Sequence, residues 1–301
     1  LFGLLADRMS RWKLMAFGVA VWSLASGGSG LAMTFLMLLA TRAVVGAGEA
    51  AYGPAAPAVL SDLYSVGRRG AVLAYFYAAI PVGSALGYVL GGLMFSLTHD
   101  WRWAFYVVVP PGLLLAILCL FMREPPRGQS DPDMRPHSAS WGDYLIILKT
   151  PSFVLCTLGY TAATFAVGGV AYWMPKYFSD VRNEGKLETV NLIFGGIIAA
   201  SGLLATLAGG WAGDALRRRF PGSYFLVSGL GMLLAFPFML AVLVAPYPWD
   251  YVFVFLTVFC LFFNTGPVNT IVANVTHPAV RASAFALVIL IIHLFGDVSS
   301  P

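Results

Sequence analysis

The sequence predicts an all-α integral membrane protein built as a two-half helical bundle, and three observations predict it. Of 301 residues, 59% are hydrophobic and only 11% charged, with a mean hydropathy of +0.79, far from soluble norms. Apolar stretches long enough to cross about 30 Å of hydrocarbon recur along the whole chain. Two sequence landmarks also repeat across its midpoint at nearly constant offset.

Taken in order, Leu1 is not a start methionine and LFGLLA reads as the tail of an earlier helix. Spans are predicted at about 14–33, 35–61, 70–97, 103–122, 152–178, 190–212, 223–246, 250–275 and 283–301, the last incomplete. Lys and Arg, counted loop by loop, fall unevenly. One alternating set of loops holds Arg8, Arg11, Lys13, Arg68, Arg69, Arg123, Arg127, Arg135, Lys149, Arg217, Arg218, Arg219 and Arg281. The other holds Arg102, Lys176, Arg182 and Lys186, which places the first set in the cytoplasm. The net charge of +4 then follows from topology and calls for no nucleic-acid partner. Cys119, Cys156 and Cys260 all fall within spans, so neither a disulfide framework nor a metal-binding spacing is present.

Residues 123–139, REPPRGQSDPDMRPHSA, form the one long polar stretch rich in proline and charge. They predict an N-terminal half at 1–122, a cytoplasmic linker at 123–150 and a C-terminal half at 151–301. Trp141, Tyr144, Leu145 and Leu148 follow i, i+3, i+4, i+7 spacing, which suggests a short helix on the membrane surface, the first turn of the next span being the alternative. The halves repeat each other: Gly3, Asp7 and Arg11 in GLLADRMSR match Gly210, Asp214 and Arg218 in GWAGDALRR at an offset of 207. RRGAVLA at 68–74 matches VRASAFA at 280–286 at an offset of 212. Two related halves imply a pseudo-twofold bundle with a site between them.

Arg42 and Glu49 stand in an otherwise apolar segment, LATRAVVGAGEAAYGPAAPAVL. An ionisable group at membrane depth costs at least ~3 kcal/mol by insertion scales, so its default reading is a proton, ion or substrate site. Seven residues are about two helical turns, which puts both side chains on one face, about 10 Å apart along the axis. The 212 offset carries these positions to Val254 and Leu261, so the repeat does not itself demand charge there. Arg42 would hold an anionic head group or an acidic partner while Glu49 exchanges a proton; a purely structural pair is the alternative. Burial raises a carboxylate's pKa and a nearby cation lowers it, so the two effects can poise such an acid for titration.

GLLADRMSRWK resembles the loop motif of the major facilitator superfamily, found between the second and third helices of that twelve-helix fold, and it occurs once in each half. By this resemblance the chain runs from the end of helix 2 through most of helix 11, without helix 1, most of helix 2 and helix 12. A narrower resemblance is to the spinster family, through RAVVGAGEAAYGPAAPAVLSDLY, IPVGSALGYVLGG, DWRWAF and HLFGDVSSP. That family is associated with movement of sphingosine 1-phosphate, lysophospholipids and related amphiphiles, with proton coupling proposed for some members. Compact loops suggest a bacterial member in the inner membrane.

The resemblance implies a cytoplasmic gate of Gly3, Asp7, Arg11 and Asp62, with Asp214 and Arg218 as the second-half counterpart; in the family such charges hold the halves together in the outward-facing state. Pro81, Gly83, Gly87, Gly91 and Gly92 form a small-residue run that permits close helix contact. Tyr52, Tyr160, Phe165, Tyr172, Asn264, Asn269 and His293 are cavity candidates, the asparagines because buried amides need partners. His293 and Asp297, four residues apart, share a helix face as a proton relay or as an internally satisfied pair.

The expected function is secondary active transport by alternating access, without a cofactor, moving a lysolipid-like or other amphipathic organic substrate as a monomer surrounded by membrane lipids, with Glu49 and Arg42 as the candidates for proton coupling. A proton-linked multidrug exporter or a small organic anion carrier is the rival within transport, and a non-transporting receptor the rival outside it. A membrane hydrolase would need a nucleophile with a base, or metal ligands at helical spacing, and the spans offer neither.

Overall fold

The computed structural model describes residues 1–131 and 139–300. Residues 132–138, inside the expected linker and including Arg135, lie outside the described residues. Among the described residues all regular structure is helical. The helices are α1 (Phe2–Arg8), α2 (Arg11–Gly30), α3 (Phe35–Tyr52), α4 (Ala55–Leu63), α5 (Arg69–Tyr77), α6 (Ala79–Thr98), α7 (Trp103–Tyr106), α8 (Val109–Phe121), α9 (Asp143–Lys149), α10 (Pro151–Lys176), α11 (Leu187–Arg217), α12 (Ser223–Val244), α13 (Trp249–Phe262), α14 (Thr265–Val275) and α15 (Arg281–Ile292). Short π-helical turns follow α10 and α15, at Tyr177–Val181 and His293–Asp297.

Eight helical stretches among these residues are long and apolar enough to cross a membrane. The span expected at 14–33 is α2, which is less apolar than those eight because it opens on Arg11 and closes on a Gly–Ser run. Hydroxyl caps start two helices: Ser10 accepts from the Lys13 N–H at 3.5 Å and Thr34 from the Met37 N–H at 3.2 Å. Three apolar runs that read as single spans are each interrupted. Breaks lie at Gly53–Pro54, Ala78 and Phe263–Asn264. Each falls at, or next to, the residue four before a proline, Pro57, Pro81 or Pro267. A proline has no N–H to give the carbonyl four residues back and its ring crowds that carbonyl, so the helix parts there.

The residues group by contact into two compact units that interleave along the chain. One comprises Leu1–Leu63, Leu86–Ile147 and Thr276–Leu287; the other comprises Tyr64–Ala85, Leu148–Val275 and Val288–Pro301. In the first unit α2 is central, packed against α3, α7 and α8. Gly18 and Gly48 make the α2–α3 crossing: a Cβ on Gly18 would lie 2.6 Å from the Gly48 carbonyl oxygen, and one on Gly48 2.7 Å from that of Gly18. In the second unit Phe194 meets Phe178 and Tyr251 edge to face, and all three pack with or beside Val170, Val190, Val242, Val254 and Val258.

The helix expected just after the linker residues is present as α9. Asp143, its first residue, ties down the preceding chain, the carboxylate accepting from the Ser140 N–H at 2.6 Å and its hydroxyl at 3.0 Å. Trp141, Leu145, Ile146 and Leu148 are exposed, an apolar face suited to a membrane surface. The glycine run of α6 differs from expectation: a Cβ at Gly83, Gly87, Gly91 or Gly92 would meet nothing within 4 Å among the described residues, so the run makes no close helix contact with them.

Candidate functional site

The first motif copy is built on α1 and joins two segments far apart in sequence. Gly3 lies against the start of α15 so closely that a Cβ would sit 2.6 Å from the Ala286 Cβ and 2.9 Å from the Ser283 Cα; only glycine fits. One turn on, the Asp7 carboxylate accepts from the Ala282 N–H at 3.0 Å and the Ser283 N–H at 2.7 Å. An acid on the free N–H groups of a helix start satisfies orphan donors and complements the helix dipole. Burial pushes the Asp7 carboxyl up to about 6, against the bonds from Ser283 and Ala282 and the nearby Arg127 charge, which lower it. Arg127 in turn donates to the Ala6 and Met9 carbonyls at the end of α1, at 3.0 and 2.8 Å.

Beside it lies a buried charge cluster. Asp62, fully buried, accepts from Arg11 Nη1 at 2.5 Å and from Arg281 Nη1 at 2.6 Å, and both arginines are 1% exposed. Glu124 takes Arg11 Nε at 2.6 Å, Asp131 takes Arg281 Nη2 at 3.0 Å, and the Gly128 N–H donates to Asp62 at 3.1 Å. Burial alone would raise Glu124, but its hydrogen bond and charge contact with Arg11 hold it below the usual carboxylate range. Two cations meet three carboxylates here, so each desolvated guanidinium has an acid partner.

The second copy repeats this arrangement on α11 and α5. A Cβ on Gly210 would lie 2.4 Å from the Ala74 Cβ and 2.5 Å from the Gly70 carbonyl oxygen. Asp214 accepts from the Gly70 and Ala71 N–H groups at 3.0 and 2.8 Å, and from the Tyr224 hydroxyl at 2.7 Å. The 212 offset carries Ala282 and Ser283 to Gly70 and Ala71, and Ala286 to Ala74. It also carries Asp62 to Asn274 and Arg281 to Arg69, and Arg69 Nη1 indeed donates to Asn274 at 2.8 Å. A neutral amide thus stands where the first copy has its central acid. Asp214 and Arg218 do not pair, and Arg218 has no partner among the described residues.

Arg42 and Glu49 lie on α3, both exposed, and neither side chain has a hydrogen bond or ion pair among the described residues. Gly46 lies between them on the same face and a Cβ there would meet nothing within 4 Å. The equivalent positions on α13, Val254 and Leu261, are buried.

Residues 1–299 match the family model described as Major Facilitator Superfamily. The chain belongs to the Major Facilitator Superfamily. It is similar to protein spinster homolog 1 of Homo sapiens, 38% identical over 324 residues, and of Xenopus laevis, 37% identical over 319 residues. All of the chain is matched, and it spans 61% of the length of each of these curated relatives. Among solved structures it resembles a bacterial homolog of the human lysosomal transporter Spinster, in an inward-facing, unoccupied conformation. That match has a TM-score of 0.62 at 23% identity, covers 98% of this chain and 68% of the other, and speaks to fold alone. The superfamily and this structure are transporters, not enzymes, and the protein is an integral multi-pass membrane protein.

Within this superfamily member the remaining candidates scatter. Tyr52 is half-buried and packs edge to face on Trp22 at 5.2 Å. Tyr160 on α10 lies beside Asn269 on α14, whose amide donates to the Thr265 carbonyl at 2.8 Å. Asn264, at the α13–α14 break, is fully buried with neither amide atom bonded to a described residue. Phe165 and Tyr172 are exposed, and Tyr172 contacts Trp173. His293 Nδ1 and Asp297 meet directly in the π-turn after α15. Sequence reasoning missed Arg281, Asp131 and Glu124; carrying Arg69 through the 212 offset would have pointed to Arg281. It also missed Arg182, which pairs with Glu184 at 3.0 Å and Asp250 at 3.5 Å.

Proposed function

We propose that the protein is a secondary active transporter working by alternating access, moving a lysolipid-like or other amphipathic organic substrate, with Glu49 and Arg42 coupling that movement to protons. Superfamily membership and similarity to spinster homologs support transport. The observation that carries the coupling is an acid and a cation two turns apart on one membrane-spanning helix, neither side chain with a partner among the described residues, flanking the open face at Gly46. A charge left unpaired at membrane depth is retained for an external ligand. Arg42 would hold the substrate's anionic head group, and Glu49 would bind and release the proton.

The docked motif copies serve as the gate on the side where Lys and Arg concentrate, which we take as cytoplasmic. Asp7 and Asp214 each hold the start of a helix from the opposite sequence half, 1–122 or 151–301, and transport requires these contacts to release and re-form. The protein acts as a monomer in a bacterial inner membrane.

The test is movement of a fluorescent lysolipid in liposomes holding the full-length protein, with and without an imposed pH gradient. Flux in the wild type should follow the gradient and fall at least about tenfold in Glu49→Gln and Arg42→Ala. Gradient-driven flux in Glu49→Gln equal to wild type would remove Glu49 from the coupling.

A further inference from the structure

A pocket of about 400 Å³ opens where the N-terminus of α5 meets the C-terminus of α11, lined by Ser65, Gly67, Arg68, Asp214, Arg217 and Arg218. Three guanidinium groups share it with one carboxylate. That carboxylate is already engaged, because Asp214 accepts from Gly70, Ala71 and Tyr224. Arg217 lies over the Tyr224 ring, 5.7 Å from its centre, while the Arg68 and Arg218 side chains have no hydrogen bond or ion pair with any described residue.

The first motif copy explains why Arg218 is left over. Arg11, the equivalent of Arg218, is buried against Asp62 and Glu124. In the second copy the Asp62 position is Asn274, which is neutral and committed to Arg69. With its acid gone, Arg218 is exposed and lines the pocket instead. Like charges gathered around one cavity repel unless an anion enters it, and arginine forks suit the oxygens of a phosphate group.

We propose that this pocket binds a phosphate-bearing anion, the head group of an anionic membrane phospholipid. The lipid source is favoured by what stands next to the cations. Tyr75 and Trp211, both exposed and 6.0 Å apart in an edge-to-face pair, lie seven residues along α5 from Arg68 and seven back along α11 from Arg218. That is about 10 Å along each axis, so the aromatic pair stands on the membrane side of the cations, in the residue types that line the membrane–water interface.

The test is native mass spectrometry of the full-length protein in detergent, counting retained phosphatidylglycerol against phosphatidylcholine, with millimolar inorganic phosphate added in a second arm. Phosphatidylglycerol should be retained preferentially, and Arg68→Gln/Arg218→Gln should lose that preference by about tenfold. Arg219→Gln, next to the pocket but not lining it, should keep it. Arg218→Gln alone, at an exposed side chain without described contacts, carries the same test with a several-fold loss if the double variant does not fold. Resistance to inorganic phosphate assigns the site to lipid; displacement by it keeps the phosphate site and makes the soluble anion its source. Equal phosphatidylglycerol preference in wild type and variants would overturn the site. So would wild type that retains neither anion, as when a carboxylate from elsewhere in the protein fills the pocket.

Discussion

Asp62 and Asn274 occupy equivalent places in the two motif copies and differ by one charge, and that difference sets what each can tolerate. Asp62→Ala strands two buried guanidinium groups, Arg11 and Arg281, and breaking a buried pair this way costs about 3–5 kcal/mol. Asn274→Ala removes one neutral acceptor from Arg69 and should cost about 1–2 kcal/mol. Thermal unfolding of the purified variants should therefore show the larger loss at Asp62; equal losses would contradict the asymmetry. At this scale the sequence was legible where a charge interrupts an apolar run, as at Arg42 and Glu49. It was opaque at Arg281, whose pairing with Asp62 spans 219 positions and whose charge, near a helix start, reads as topology alone.

Helix boundaries followed local chemistry, and most spans were readable from apolar length. The interruptions were not, because an apolar run containing Pro57, Pro81 or Pro267 stays apolar while the backbone parts four residues earlier. The loop after α10 was also unread, and it holds an element that responds to pH. Arg182 donates to the Val242 carbonyl at 2.9 Å, and also to that of Ala245, at the end of α12. Beside it, burial first and the neighbouring Asp250 second push Glu184 up to about 7, against Arg182, which lowers it. The folded carboxyl therefore keeps a proton that the unfolded one, near 4.5, releases. Stability from this proton is fully present below about pH 4.5 and is lost as pH rises through about 7. The unfolding midpoint of the wild type should drop more steeply between about pH 5 and 8 than that of Glu184→Gln. Parallel profiles would remove Glu184 as the titrating group.

For the whole molecule, composition and the repeat were enough to read a two-half helical membrane protein, and the GLLADRMSR motif was enough to read its superfamily. The partner of each motif copy was not readable. Gly3 and Asp7 dock on the start of α15, and Gly210 and Asp214 on the start of α5, so each copy clasps a helix from the opposite sequence half. Backbone N–H groups donate to any nearby acid, and nothing in side-chain identity at Ala282 or Ala71 advertises the contact. The central claim is that these clasps open and close during transport. It is tested most directly by locking one: Tyr75→Cys/Trp211→Cys, in a background without Cys119, Cys156 and Cys260, joined by a short cleavable bis-maleimide in the full-length protein. Lysolipid flux into proteoliposomes should stop on cross-linking and return on cleavage, whereas undiminished flux through the cross-linked protein would contradict the account.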